Sequence, residues 1–195
     1  QLEGAPLVVG VSRLVPRKGH DLTIRAWPSV RRRVAGARLM IVGDGPDRAR
    51  LEALARNLGV ADAVTFTGVV SREDLPAHFA AGDVFAMPNR ARWFGLDDEA
   101  LGAVFLQAAA VGRAVVAGDA GGAGEAIVDG ITGHLTNGHD HQALADVLVR
   151  LLSDPAYASR LGRAGARRIQ DAFTWQRMAN RLHDLLQELG RARLR

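Results

Sequence analysis

Residues 88–111 read PNRARWFGLDDEALGAVFLQAAAV and contain the polar positions around which the rest of the chain is arranged. The segment follows a short apolar run at 84–87, crosses a loop rich in charged side chains, and enters an Ala-rich helix just after Gly102. The unpaired N–H groups of a helix's first turn attract anions, and the helix dipole adds to that attraction. A strand, a polar loop and a glycine-led helix in this order predict a ligand-binding edge.

The acidic end of this loop is followed by one polar residue in the helix. Gln107 comes eight positions after Glu99, which is just over two helical turns. If Glu99 lies at the mouth of a site, Gln107 stands inside an otherwise apolar helix, where an unpaired buried amide is costly. We therefore expect the Gln107 side chain to have a polar partner.

The rest of the chain alternates short apolar runs with longer amphipathic ones. Strands are predicted at 7–11, 38–42, 64–67, 84–87, 114–117 and 133–135. Helices are predicted at 20–34, after an Asp47 cap as far as Gly59, after a Ser71–Asp74 capping box, after Gly102, and near 125–128, 142–152, 157–169 and 175–193. This alternation predicts an α/β fold, a Rossmann-like doubly wound parallel sheet of about six strands with C-terminal helices. Pro28 predicts a kink or an early break in the first helix.

The strand order decides where a ligand would bind. In the order 3-2-1-4-5-6, strands one and four are neighbours at the switch point, and ligands bind beyond the carboxyl ends of such strands. The turn at 12–19 and the loop at 88–102 would then face one crevice. These are the two stretches richest in polar residues and glycine.

The charges of the two stretches suit a diphosphate with hydroxyl groups nearby. Arg13 and Lys18 supply two cations, the helix start at Ala103 adds a partial positive charge, and Glu99 and Gln107 supply hydroxyl acceptors. Lys18 is the only lysine among 25 basic residues. This combination indicates a nucleotide-sugar. The alternative is that the three charged residues are solvated loop charges and that Gln107 bonds a backbone group.

Composition excludes several other classes of protein. The 195 residues suit one domain or at most two small ones, and a hydrophobic fraction of 48% is enough for a real core. The chain has no cysteine, so it has neither disulfides nor thiolate metal sites, and it has no apolar run long enough to span a membrane. The net charge of +4 comes without a nucleic-acid-binding motif or aromatic platform, so no nucleic-acid partner is predicted.

Motifs for other ligands are also incomplete. The first βα turn is basic and lacks the G-x-G-x-x-G of dinucleotide-binding proteins, and no P-loop sequence occurs. The run His139-Asp140-His141 has no third metal ligand nearby, and Asp140 suits a helix cap better. No metal site is predicted.

Four motifs together resemble the C-terminal, donor-binding domain of retaining GT-B glycosyltransferases of family four. They are SRLVPRKGHD at 12–21, VTFTGVVSREDL at 64–75, FAMP at 85–88 with EALGAVFLQAAAVGRAVVAG at 99–118, and GGAGEAI at 121–127. The resemblance covers the whole chain, 1–195, as one half of a GT-B enzyme. It implies that the N-terminal acceptor domain is absent from this chain, and Gln1 in place of a start methionine fits an excised or processed piece.

The resemblance also implies roles for individual residues. Arg13 and Lys18 would grip the donor diphosphate, and Val69 would lie along the nucleotide base. Glu99 would touch the sugar hydroxyls, while the backbone of Leu101, Gly102 and Ala103 would meet the sugar and the distal phosphate. Gln107 replaces the second glutamate of the family's motif, at the position that would hold the ribose diol. No residue is assigned as a certain catalytic group; Arg13, Lys18 and Glu99 would assist, and no metal or other cofactor is expected.

Within the family, the loop at 90–99 and the FTW sequence at 173–175 look most like the phosphatidyl-myo-inositol mannosyltransferases that use GDP-mannose. The partners implied are a nucleotide-sugar, the enzyme's own N-terminal domain, and an anionic phospholipid acceptor or membrane surface. The implied location is cytoplasmic, extending to the inner face of the membrane. Two alternatives stay open: a non-catalytic nucleotide-sugar-binding domain, and a GT-B sugar epimerase or phosphorylase-like enzyme. The apolar stripe of the last helix would cross to the missing domain or pack on this one.

Overall fold

The computed structural model describes residues 4–192, and its centre is a sheet of six parallel strands. The strands are β1 (Leu7–Val11), β2 (Arg38–Val42), β3 (Val64–Gly68), β4 (Val84–Met87), β5 (Ala114–Gly118) and β6 (Gly133–Thr136). Their order is β3-β2-β1-β4-β5-β6, which confirms the predicted doubly wound topology. Strands β1, β4 and β5 are buried along their whole length, as unbroken apolar sequences in a parallel sheet require.

Helices cover both faces of the sheet. They are α1 (His20–Arg33), α2 (Arg48–Asn57), α3 (Leu75–Ala81), α4 (Ala103–Ala110), α5 (Ala123–Ala126), α6 (His141–Ser153), α7 (Pro155–Ala172) and α8 (Trp175–Ala192). Helices α1, α2 and α6 share one hydrophobic core, whereas α3, α4 and α5 share the other. Successive residues of β1 alternate between the cores, with Val8 in the first and Val9 in the second.

Two predicted helix features differ from the structure. Helix α1 continues through Pro28 to Arg33 instead of breaking early, because a proline inside a helix removes only one backbone hydrogen bond and buried neighbours such as Trp27 hold the turn in place. Helix α5 lies about two residues earlier than predicted. Its end is set by Ile127, which adopts extended backbone and is β-branched.

Three side-chain caps were predicted, and their outcomes differ. Asp140 caps α6 as predicted, because its carboxylate accepts from the backbone N–H groups of Gln142 and Ala143 at 3.0 and 2.9 Å. Ser71 Oγ accepts from the backbone N–H of Asp74 at 3.0 Å, which forms half of a capping box. The Asp47 cap was wrong: Asp47 has helical dihedral angles and its side chain caps no backbone N–H, because its carboxylate instead accepts from Arg50 Nε and Nη2 at 2.6 and 2.7 Å.

Helix α8 exposes its apolar stripe. Trp175, Met178, Leu182, Leu185 and Leu189 are 84%, 58%, 56%, 53% and 58% exposed. The alternative that this stripe packs on the described part of the chain is therefore wrong. The predicted end of the helix at Arg193 lies outside the described residues. Among residues 4–192, no helix combines the length and the apolar character that crossing a membrane requires.

Candidate functional site

The site lies at the switch point of the sheet, where the order of the strands along the chain reverses. Strands β1 and β4 are paired neighbours, with Val8 opposite Val84, although they are far apart in sequence. The turn at 12–19 leaves the carboxyl end of β1, and the loop at 88–102 leaves the carboxyl end of β4. The prediction that these two stretches lie side by side is therefore confirmed.

The two stretches touch through their backbones. The N–H of Arg90 donates to the carbonyl of Arg17 at 2.9 Å. Gly19 has a φ of +75°, and a Cβ added there would lie 1.9 Å from the carbonyl oxygen of Pro88. A residue with a side chain cannot occupy such a position without moving one of the two backbones. The close approach of the loops therefore depends on a glycine at 19.

Two ion pairs cross from the turn to the loop. Arg17 Nη1 lies 3.0 Å from Asp97 Oδ1, and Lys18 Nζ is paired with Glu99 Oε2. The Lys18 and Glu99 side chains are 12% and 11% exposed, so their charges are largely withdrawn from water. The structure thus brings together two residues that the sequence placed in one site.

A third ion pair was not predicted. Both Nη2 bonds of Arg90 go to the Asp21 carboxylate, at 2.8 and 2.9 Å, and the two side chains are 14% and 11% exposed. Asp21 lies in the first turn of α1, directly after the basic turn. Arg90 is therefore committed to holding the two loops together and is not a cation available to a ligand.

Arg13 differs from these paired cations. Its side chain is exposed, and it takes part in no ion pair within the described residues. An exposed, unpaired guanidinium at the end of β1 can accept an anionic ligand without first breaking an internal contact.

The start of α4 offers main-chain donors at the crevice. Gly102 has a φ of +65° and no side chain caps the helix. A Cβ at Gly102 would lie 2.4 Å from the ring of Phe105, so glycine is needed for the chain to turn into the helix. Ala103 is exposed and Leu101 is 39% exposed, while Gly102 between them is buried, so the predicted anion-binding segment is open to solvent at its two outer residues.

Gln107 is exposed, so the expectation that it is buried and needs an internal partner was wrong. Helix α4 buries Phe105, Ala108 and Ala109 against the sheet, and Gln107 falls on the other side. Val69, in the turn after β3, is 80% exposed. The predicted roles of Gln107 at a ribose and of Val69 at a base stay predictions, and both side chains are accessible to a ligand.

The GGAGEAI turn at 121–127 packs against the backbone of the acidic loop at 97–100. Gly122 N–H donates to the carbonyl of Glu99 at 2.8 Å. A Cβ at Gly121 would lie 2.0 Å from that same carbonyl oxygen, and one at Gly122 would lie 2.1 Å from the carbonyl oxygen of Ala100. The paired glycines allow the turn to approach the loop backbone and fix the position of Glu99.

Asn89 is a second support that sequence reasoning missed. Its side chain is 1% exposed; Nδ2 donates to the carbonyl of Ala120 and Oδ1 accepts from the N–H of Gly118, both at 3.0 Å. The amide thereby ties the loop after β4 to the end of β5. The Pro-Asn sequence after a strand suggests only a turn, so no local signal reveals this contact.

His20 is a buried group beside the basic turn. It is 2% exposed, and its Nε2 lies 2.7 Å from Ser12 Oγ. Burial lowers the pKa of His20 to about 4, with Lys18 adding to the effect and Asp21 and Asp47 opposing it. The imidazole is therefore neutral at pH 7 and holds Ser12 at the end of β1.

This pKa predicts a pH dependence of stability. The folded value lies below the unfolded value of 6.5, so the unfolded chain binds the extra proton as pH falls through that window, and stability decreases. The slope for one group is at most about 1.4 kcal/mol per pH unit. Urea unfolding at pH 7 and pH 5 should therefore show a smaller loss of stability in His20→Gln than in the wild type, by roughly 2 kcal/mol. The exposed His139→Gln should keep the wild-type dependence; equal slopes in all three proteins would contradict the assignment.

A separate cleft lies at the amino-terminal ends of the strands, opposite to the candidate site. It has a volume of about 710 Å³ and lies beside the start of β1, with Pro6, Asp83, Arg113 and Leu152 among its lining residues. Ligands of open α/β sheets bind beyond the carboxyl ends of the strands, and this cleft lies at the other end.

Within residues 4–192, no group of three or more His, Asp and Glu side chains could hold a metal ion.

Together the fold and the crevice define a Rossmann-like α/β domain whose switch point carries paired charges, an exposed arginine and an open helix start. Comparison with known proteins agrees with this class. The profile of the family described as Glycosyl transferases group 1 matches residues 1–168. The chain belongs to this family.

Relatives and solved structures support the assignment. The chain is 48% identical over 188 residues to a GDP-mannose-dependent alpha-(1-6)-phosphatidylinositol monomannoside mannosyltransferase of Mycolicibacterium smegmatis, covering 96% of this chain and 49% of the relative. A sucrose-phosphate synthase of Thermosynechococcus elongatus shares 31% identity and a TM-score of 0.82, over 97% of this chain and 46% of that one. The HepE protein of Anabaena in complex with UDP shares 26% identity and a TM-score of 0.85, over 96% and 50%. The chain thus spans about half the length of the curated relatives it matches.

Proposed function

We propose that the chain is the donor-binding half of a retaining glycosyltransferase that transfers mannose from GDP-mannose. The observation that carries this proposal is the meeting of Lys18 and Glu99 at the switch point, beside the exposed Arg13 and the open start of α4. A cation, a carboxylate and main-chain donors in one crevice match a diphosphate joined to a hydroxylated sugar. The name of the mycolicibacterial relative supports the choice of GDP-mannose.

In this proposal the site residues act at different parts of the donor. Arg13 and Lys18 bind the diphosphate together with the N–H groups at Gly102 and Ala103. Glu99 accepts from sugar hydroxyls, and Leu101 lines the sugar through its backbone. Two exposed side chains then serve the nucleoside: Gln107 meets the ribose and Val69 the base.

The chemistry follows from where negative charge develops. As the bond between the sugar and the diphosphate breaks, charge accumulates on the departing phosphate, and preorganised cations and dipoles stabilise it. Arg13, Lys18 and the start of α4 supply that stabilisation, so the reaction proposed needs no metal ion. An acceptor hydroxyl attacks from the face on which the diphosphate leaves and gives its proton to the departing phosphate oxygen, so the configuration of the sugar is retained.

The acceptor site is proposed to lie outside this chain. The curated relatives are about twice as long, and the stripe on α8 has no cover within residues 4–192. We assign the stripe to contact with an N-terminal domain that carries the acceptor site. The relative's name favours a phosphatidylinositol-type acceptor, and we propose a cytoplasmic enzyme that works at the inner face of the membrane.

A panel of ligands tests the proposal directly. Thermal unfolding of the 195-residue chain should shift upward with GDP-mannose and less with UDP-glucose, because only a ligand that binds the folded state stabilises it. NADH serves as the control and should give no shift. A shift with NADH alone, or none with any nucleotide-sugar, would overturn the proposal.

Gln107 favours one second candidate, a nucleotide-sugar binder that has lost turnover. An amide keeps a carbonyl acceptor but lacks the charge of the motif glutamate, so its hydrogen bond to a ribose is weaker. Incubating the full-length protein with GDP-mannose and a phosphatidylinositol acceptor separates the two. Formation of a mannosylated lipid excludes the non-catalytic candidate.

The same residue gives a quantitative prediction. Gln107→Glu should tighten GDP binding by about tenfold, since a charge-assisted hydrogen bond adds about 1–2 kcal/mol. Calorimetry on the 195-residue chain measures the change. The control is Gln142→Glu, an exposed residue at the start of α6, which should leave the affinity unchanged. An unchanged or weaker affinity in Gln107→Glu would place this residue away from the ribose.

A further inference from the structure

Lys18 and Glu99 each have a proposed partner in the donor, yet in this structure they are partners of each other. The neighbouring pair, Arg17 with Asp97, joins the same two stretches. The Glu99 carboxylate therefore occupies, beside Lys18, the position proposed for the diphosphate. The free energy needed to separate Lys18 from Glu99 depends on which ligand binds.

We propose that Glu99 competes with the diphosphate for Lys18, so that the site selects nucleotide-sugars over nucleoside diphosphates. This inference rests on the proposed function and adds a specificity-determining role for the Lys18–Glu99 pair. A nucleoside diphosphate takes Lys18 away and supplies nothing for Glu99. A nucleotide-sugar takes Lys18 and also presents hydroxyl donors to the released carboxylate.

Because Glu99 is largely buried, the difference in binding free energy between a nucleoside diphosphate and a nucleotide-sugar is large. Glu99 is 11% exposed, so water replaces its lost cation poorly, and an unpaired carboxylate in such a place is costly. The arriving diphosphate is also negative, which adds repulsion at short range. Sugar hydroxyls relieve the first of these costs because they donate hydrogen bonds to the carboxylate.

Three other cations of the two stretches are held by carboxylates and do not replace Lys18 beside Glu99. Arg17 is held by Asp97 at 3.0 Å, and Arg90 is held by Asp21 through two bonds. Arg92 lies 3.7 Å from the second oxygen of Asp97. Each of these three arginines is already paired. Arg13 is in no ion pair within the described residues, but it is assigned to the diphosphate, so loss of Lys18 leaves Glu99 dependent on the ligand.

Calorimetry with GDP and GDP-mannose on the 195-residue chain tests the inference. The wild type should bind GDP-mannose at least about tenfold more tightly than GDP, a difference of about 1.4 kcal/mol. Glu99→Gln removes the competing charge and should tighten GDP by about tenfold, so that the preference for GDP-mannose largely disappears. Asp97→Asn is the matched control: it removes one negative charge two positions away and should change both affinities alike.

Each outcome separates the explanations. Equal wild-type affinities for the two ligands overturn the inference without any variant. It is also overturned if Glu99→Gln leaves GDP affinity unchanged or weaker, or if Asp97→Asn tightens GDP as much, which would be a general charge effect. Absence of binding by either ligand would instead contradict the proposed function, and this inference with it.

Discussion

Replacing Arg13 and Lys18 together with alanine is expected to weaken GDP-mannose binding by about a hundred- to ten-thousand-fold. Each side chain is proposed to make a charge-assisted hydrogen bond to the diphosphate, worth about 1.5–3 kcal/mol, and tenfold in affinity corresponds to about 1.4 kcal/mol. The double change also leaves Glu99 without its cation, next to a negative ligand. Calorimetry at two salt concentrations measures both the loss and the weaker salt dependence that follows from removing two charges.

The matched control for this double variant removes the same charge elsewhere. Arg32 and Arg56 are exposed residues at the carboxyl-terminal ends of α1 and α2, away from the crevice. Replacing both with alanine should change the affinity by less than about threefold, since exposed charges at this distance are largely screened. If the two double variants bind equally, the diphosphate does not lie between Arg13 and Lys18.

The second large effect is structural. Gly19→Ala should lower the free energy of unfolding by about 3–5 kcal/mol, which combines the cost of the left-handed backbone with that of a direct clash. The added Cβ would lie 1.9 Å from the carbonyl oxygen of Pro88, and no side-chain rotation can separate them, because the backbone fixes the position of both atoms. For a chain of this size, the melting temperature should fall by about 10 °C.

Gly36→Ala isolates the contribution of the clash. Gly36 has a φ of +73°, almost the same as Gly19, but an added Cβ there meets nothing within 4 Å. We expect a loss of about 1 kcal/mol, because only the backbone strain remains. Similar melting temperatures for the two variants would show that the turn at 12–19 does not press on the loop at 88–102 as described.

The parts of the fold that sequence predicted have a common physical origin. Strands such as 7–11 and 84–87 are unbroken apolar runs, and a parallel sheet buried on both faces is the structure that such runs form. The strand order that follows from this pattern places Lys18 and Glu99 at one end of neighbouring strands. Long-range geometry was accessible here because the topology of alternating strands and helices is strongly restricted.

What sequence could not predict depends on contacts between distant residues. Nearly every residue of α4 is apolar, so periodicity does not say which side faces the sheet, and Gln107 was assigned to the wrong side. The pairing of Asp21 with Arg90 and the bridge made by Asn89 each join separate segments. Neither carries a local pattern, because a charged or amide side chain has the same sequence context whether it is buried or solvated.

The uncovered stripe on α8 has a practical consequence for work with the isolated chain. Five apolar side chains that are more than half exposed form a patch of the kind that drives soluble proteins to associate with one another. Concentrated samples should therefore self-associate through the last helix and yield binding curves distorted by aggregation. Ending the chain at residue 172 removes the exposed apolar stripe of α8 and keeps every residue of the crevice.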